Sequence, residues 1–171
     1  MIAMPDGITI RPEIPADYAA IHTLTQKAFD PMPFSDGSEP SCITQMRKDN
    51  DLILSLVAED DGTIVGHVAF SPAKIGDTAG WIALGPVSVA PEHQRSGIGR
   101  ALITAGFDQF RHTAKGCVLT GDPAYYQRFG FVGDCGLTYR DLEPKFVQIL
   151  CFGDDRPEGE VLFCPGLEAA A

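Results

Sequence analysis

Residues 84–109, LGPVSVAPEHQRSGIGRALITAGFDQ, constrain this chain more than any other stretch. Val87 and Val89 alternate with smaller residues, a β-branched pattern that suits a strand buried on at least one face. Pro91 ends that strand, because proline has no N–H to give a neighbouring ladder. Gln94-Arg95-Ser96-Gly97-Ile98-Gly99-Arg100 follows, two glycines and two arginines directly ahead of a helix. Ile98, Leu102, Ala105 and Phe110, flanked by Ile103 and Phe107, fall near helical spacing on one broad apolar face.

A strand feeding such a loop makes an anion seat. The first turn of a helix leaves backbone N–H groups without intrahelical partners, and the helix dipole adds positive partial charge there. Gly97 and Gly99 carry no Cβ to hold a phosphate off the backbone. Arg95 and Arg100 add full charges and forked donors that fit phosphate oxygens. Each contribution at an exposed helix end is about 0.3–1 kcal/mol, so several must act together, and a diphosphate is the ligand expected. Arg100-Ala101 stands where a Walker A loop needs Lys-Ser/Thr, and the three-glycine dinucleotide fingerprint is absent.

What stands here is Gln-x-x-Gly-x-Gly, with Val-x-Val-x-Pro just upstream. That combination resembles the acetyl-CoA loop of the GNAT superfamily of N-acetyltransferases. The resemblance implies that the backbone of Arg95, Ser96, Gly97, Ile98, Gly99 and Arg100 holds the pyrophosphate of coenzyme A. It also implies that backbone groups of Val87 and Val89 pair with the pantetheine arm, beside a bulge at Gly85-Pro86. A second stretch, Tyr126-Gln127-Arg128-Phe129-Gly130-Phe131, is similar to the family's Tyr-x-x-x-Gly-Phe signature. There Tyr126 is the residue expected to protonate the leaving thiolate, whereas the adjacent Tyr125 reads as a packing residue.

At 171 residues the chain is expected to form one domain, 1–171, able to bury a sizeable core. A hydrophobic share of 44% and a charged share of 21% are those of a globular protein, and no run reaches the length of a membrane span. The N-terminus lacks the basic region and apolar core of a signal peptide, so a cytoplasmic location is expected. Five cysteines (42, 117, 135, 151 and 164) are scattered without a C-x-x-C and read as free thiols. The four histidines have no paired spacing, so no metal site is expected. A net charge of −10 argues against nucleic acid as a partner and suits a cationic amine. A homodimer stays open.

The rest of the chain reads as α/β. Residues 8–11 suggest a first strand, and Pro15-Ala16-Asp17 opens a helix to about Phe29 with Tyr18, Ile21, Leu24 and Ala28 inward. A loop over 30–38 precedes a short helix over 40–48, carrying Ile43 and Met46 inward. In the GNAT family this loop walls the acceptor site, which would offer Met32 and Phe34 as apolar contacts and Asp36 and Glu39 as carboxylates. Residues 52–59 and 63–71 form two strands joined at Asp60-Asp61-Gly62, with Gly66 a candidate bulge, and a third strand runs over 81–90. After the long helix come a strand over 117–121 and a brief helix capped by Asp122 and closed by Gly130, then strands over 132–139, 146–152 and 160–164. Residues 168–171 read as an untethered tail. The expected architecture is a GNAT-like mixed sheet flanked by helices, β-α-α-β-β-β-α-β-α-β-β.

The chemistry implied is transfer of acetyl from acetyl-CoA to a primary amine by direct attack. An ammonium of lysine-like pKa must first lose a proton, at about 4–5 kcal/mol near neutrality. Many GNAT enzymes place a glutamate on the third or fourth strand for this. Residues 83–87 here contain no carboxylate, leaving Asp122, the acidic loop, or a water held by Ser88 as alternatives. A non-catalytic acyl-CoA-binding module is the second reading, against which Tyr126 speaks, since an inert module has no use for its hydroxyl.

Overall fold

The structure is a computed structural model, and it describes residues 6–33 and 35–168. Six strands lie in the order β1-β2-β3-β4-β5-β7: β1 Ile8–Pro12, β2 Leu54–Asp60, β3 Thr63–Ile75, β4 Thr78–Val89, β5 Gly116–Thr120 and β7 Val147–Cys151. All neighbours are antiparallel except β4 and β5. The parallel pair requires a crossover, which α3 (Ile98–Phe110) supplies. Two further strands extend the sheet: β8 (Gly159–Phe163) pairs with β3 at Ala73–Ile75, beyond the end of β2, and β6 (Leu137–Thr138) pairs with β8.

Side-chain alternation along β3 sorts the core into two faces. Val68 and Phe70 look toward α3, where Ile98, Leu102, Ile103 and Phe107 bury against them with Leu56, Ile82 and Leu84. The spacing that suggested an apolar helix face is therefore met, with Ala105 and Phe110 half-buried at its margin. Ala69 looks the other way, toward Ile21 of α1 (Tyr18–Phe29) and Ile43 and Met46 of α2 (Glu39–Lys48). Trp81, Ala83, Val118, Ile149 and Phe163 complete a third cluster beneath the C-terminal strands.

Several sequence expectations shift. Tyr18, assigned to the inner side of α1, is 38% exposed, with the Arg47 guanidinium over its ring at 3.7 Å. The amphipathic spacing was right, but α1 begins after a 3₁₀ turn at Pro15–Asp17, and that turn leaves its first residue at the rim. The bulge expected at Gly66 falls one residue earlier, because Ala58 faces Gly66 while Glu59 faces Ile64, so Val65 is extra. Gly66 serves packing instead: a Cβ there would stand 2.8 Å from Ile98 Cγ2. Of the strand expected over 132–139, a lone bridge from Val132 to Ile149 and the two-residue β6 form. The tail is not free at its start. Glu168, in α5 (Pro165–Glu168), accepts hydrogen bonds from Tyr139 Oη at 2.7 Å, Arg140 at 2.7 Å and the Phe163 amide at 3.0 Å. The residues after Glu168, part of the same expectation, lie outside the described residues. No helix of the described residues is long and apolar enough to cross a membrane.

Candidate active site

The site begins where β4 and β5 part. The two strands pair from Trp81–Gly116 to Ala83–Val118 and no further, although β4 runs on to Val89. Opposite, Val68 faces Val87 and Phe70 faces Leu84, so Gly85 and Pro86 share one partner, Ala69. That is the bulge expected at Gly85-Pro86, and the peptide between them is cis. Beyond the bulge the Ala90 amide donates to Val65 O at 2.8 Å. This fixes the alternation: Ser88 and Ala90 turn their backbone polar groups to β3, and Val87 and Val89 turn theirs to the open edge. The carbonyl of Val89 there accepts from Gln94 Nε2 at 3.1 Å, which ties the loop to the strand end.

The loop itself is an array of donors. Arg95 and Gly97 both adopt positive φ, 63° and 90°, and Gly97 forms the N-cap of α3. The first helical bond runs from the Ala101 amide to Gly97 O at 3.0 Å. Among the described residues, none of the six amides from Arg95 to Arg100 donates to a protein acceptor, and neither Arg95 nor Arg100 meets a carboxylate. The Ser96 hydroxyl bonds to His93 O, closing the turn. Six unengaged N–H groups at a helix start, beside two free guanidinium groups, form a seat for a di-anion.

Two tyrosines stand on α4 (Pro123–Tyr126), which Asp122 caps by accepting from the Ala124 amide at 2.9 Å. Tyr126 packs on Gly121, where a Cβ would stand 2.7 Å from the ring, and on Phe131, with ring centroids 5.8 Å apart. Burial first, then Tyr125, Cys117 and Asp122, raises its pKa and keeps the phenol protonated. Tyr125 was read as packing alone. Its hydroxyl lies over the loop, 3.1 Å from where a Cβ of Gly99 would stand, while Arg128 covers its ring at 4.5 Å. Burial also raises Tyr125, with Arg128 and Arg100 opposing. Neighbouring tyrosines on a helix turn point differently, and residue type alone does not say which one reaches the loop.

The candidate bases are mostly occupied. Asp122 is spent on its cap. Asp36 accepts from the amide and hydroxyl of Ser38, which hold its pKa low, and buried Glu39 accepts from Ser35 Oγ at 2.5 Å. Met32 is half-buried in its loop, and Phe34 lies outside the described residues. Ser88 is buried, and its hydroxyl has no protein partner. All five thiols are free; burial pushes Cys42 up to about 11 and Cys117 well above the usual range. Two hollows are present, about 880 Å³ between α1, the β2–β3 turn and Ala90, Pro91 and Glu92 just past the end of β4, and about 590 Å³ beside Pro72 and Phe110. Neither takes in the loop, because a fork between two strands is an open slot rather than an enclosed cavity.

A sheet forked at a parallel pair, with a donor-rich helix start at its mouth, makes an α/β fold with an anion-binding site. A GNAT acetyltransferase domain matches over residues 51–133. The uncharacterized N-acetyltransferase YhbS of Escherichia coli strain K12 is 38% identical over 125 residues, covering 71% of this chain and 72% of that protein. The chain therefore belongs to the GNAT family and is an acyltransferase. A GNAT acetyltransferase from Brucella melitensis, solved with acetyl-CoA, is 43% identical, with a TM-score of 0.83 over 94% of this chain and 97% of that one. YhbS from Escherichia coli, solved with CoA, superposes at a TM-score of 0.87 with 29% identity over 98% and 96%.

Proposed function

We propose that this protein transfers acetyl from acetyl-CoA to a primary amine, by direct attack within a ternary complex. The observation that carries this reading is the row of six unengaged amides and two free arginines at the mouth of the β4–β5 fork. The amides of Arg95, Ser96, Gly97, Ile98, Gly99 and Arg100 hold the pyrophosphate, and the open-edge groups of Val87 with the amide of Val89 hold the pantetheine as a strand would. The bound states of the Brucella melitensis and Escherichia coli relatives support this cofactor.

In the reaction the amine nitrogen attacks the thioester carbon, an oxyanion forms, and the C–S bond breaks. Tyr126 gives its phenolic proton to the departing sulfur. Burial keeps that phenol protonated until the sulfur takes the proton. Buried Cys117 and half-buried Cys151 give no sign of an acetyl-enzyme, since burial raises both and disfavours the thiolate.

The test pairs binding with turnover. Titration calorimetry with acetyl-CoA should show a one-to-one complex, and Gly99→Val should weaken it at least tenfold while the circular dichroism spectrum is kept. Thiol release is then followed across a panel of primary alkylamines, polyamines and peptide amines. Equal affinity in folded Gly99→Val removes the loop from the site. A protein that binds acetyl-CoA and acetylates none of the panel is a binding module instead.

A further inference from the structure

Arg128 is an exposed cation that meets no carboxylate. The chain has a net charge of −10, and Arg11, Arg47, Arg111 and Arg140 each pair with an Asp or Glu side chain. Arg95, Arg100 and Arg128 pair with none among the described residues. Arg95 and Arg100 flank the loop at the start of α3. Arg128 comes from a 3₁₀ turn, Gln127–Phe129, that follows α4, yet it is tied to the same place. Its Nε donates to Tyr125 O at 2.9 Å, and its Cζ stands 4.5 Å from the centre of the Tyr125 ring. The tip of that ring is the hydroxyl lying over Gly99.

The backbone bond and the stacked ring hold this arginine in place, so binding costs it less side-chain entropy than a free arginine would lose. Neither its terminal nitrogens nor the Tyr125 hydroxyl has a protein hydrogen-bond partner among the described residues. Arg128 and Arg100 both oppose the rise that burial imposes on the Tyr125 phenol, so two cations act on one oxygen. A neutral phenol donates one proton, and each guanidinium presents a planar fork of donors. Tyr125 thus links the Arg128 fork to the first turn of α3, beside the seat formed by residues 95–100.

These donors exceed what a diphosphate needs. Six amides with Arg95 and Arg100 already answer the two charges of a pyrophosphate. Coenzyme A carries a third phosphate, on the 3′ oxygen of its ribose, and only that sugar separates it from the diphosphate. Such a monoester bears about −1.5 to −2 charges at pH 7 and accepts the fork of a guanidinium in bidentate fashion. An acidic protein repels that group unless a local cation receives it. We propose that Arg128 and Tyr125 are specificity-determining residues that receive the 3′-phosphate of the coenzyme. This rests on the placing of the pyrophosphate at residues 95–100 given above. The phosphate oxygens accept from the terminal nitrogens of Arg128 and from the Tyr125 hydroxyl, and Arg100 lends its charge to both anions. The protein thereby distinguishes coenzyme A from its 3′-dephospho form, a choice that the loop amides alone cannot make.

Titration calorimetry with CoA and with 3′-dephospho-CoA tests this, because the two ligands differ by the one group. The parent should bind dephospho-CoA roughly ten- to a hundredfold more weakly, the worth of a charge-assisted hydrogen bond. Arg128→Gln should weaken CoA by a similar factor and leave dephospho-CoA within about twofold of the parent, so that the preference collapses. Tyr125→Phe should lose part of the preference, and Arg128→Lys should keep part of it, since a point charge then replaces the fork. Added potassium chloride should shrink the preference in the parent, as it screens an exposed ion pair. Equal affinities of the parent for the two ligands overturn the 3′-phosphate site and leave the pyrophosphate seat standing. An Arg128→Gln variant that weakens both ligands by the same factor also overturns it, because that is the mark of an arginine that only supports Tyr125. A parent that binds neither ligand overturns the pyrophosphate seat, and the 3′-phosphate site with it.

Discussion

The role proposed for Tyr126 depends on position rather than on type. Its ring fills the space left by the missing Cβ of Gly121, and burial holds its hydroxyl in the protonated form. Tyr126→Phe keeps that ring and deletes one oxygen. If the phenol donates to the leaving sulfur, turnover should fall by about 10²–10⁴-fold with acetyl-CoA affinity nearly unchanged. Steady-state kinetics beside calorimetry measures both, and turnover within threefold of the parent would remove the general-acid role. A hydrogen bond that merely orders the pantetheine would instead show as about 0.5–1.5 kcal/mol in affinity. Its neighbour Tyr125, over Gly99, offers the contrast: loss of that hydroxyl should be felt in binding at the loop.

At the scale of elements, α3 must lie close to the sheet to bring its N-terminal amides to the fork. The closest approach is at Gly106, where a Cβ would stand 2.2 Å from two carbons of the Phe70 ring. Phe70 in turn meets Phe107 and Phe110, so its ring has no free side to move into. Gly106→Ala should therefore destabilise the protein by about 1–3 kcal/mol, as overpacking of a close-packed core does, despite the better helix propensity of alanine. Urea unfolding followed by circular dichroism reads this directly, and a stability equal to the parent would mean that α3 can lift from the sheet. Such a lift would also displace the loop, so acetyl-CoA affinity is expected to fall along with stability.

For the whole molecule, acid stability should follow the polar groups locked under α1. Burial pushes the pKa of His67 down to about 4, with Glu13 opposing and Arg47 reinforcing the shift. In the unfolded chain the same imidazole titrates near 6.5, so between those values the unfolded state binds the proton that the native state refuses. Stability is then fully present above about pH 6.5 and declines as pH falls toward 4, by on the order of 2–3 kcal/mol. Asp17, held low chiefly by its hydrogen bond from Arg11, adds a further loss at still lower pH, as its carboxylate is protonated. Urea midpoints measured at pH 7.5 and 4.5 should differ accordingly in the parent and much less in His67→Gln. A variant with the same acid slope as the parent would assign that slope to the carboxylates.

Local chemistry was legible in the residues themselves. Val-x-Val, the prolines, the glycine pair and Tyr-x-x-x-Gly-Phe state local geometry, because turns, helix starts and strand ends depend on a few adjacent backbone angles. The strand-to-helix loop, the Asp122 cap and the Gly130 stop could be read on those grounds, and all three stand in the structure. Tertiary structure decided what distant segments share. Nothing near His67 in sequence announces Ser55 or Glu13; cross-strand register and helix packing bring them together. The same holds for Glu168, which sequence left loose and which Tyr139, Arg140 and the Phe163 amide hold in place. Short-range rules act through the chain, whereas a buried polar network depends on pairings that only the assembled sheet creates.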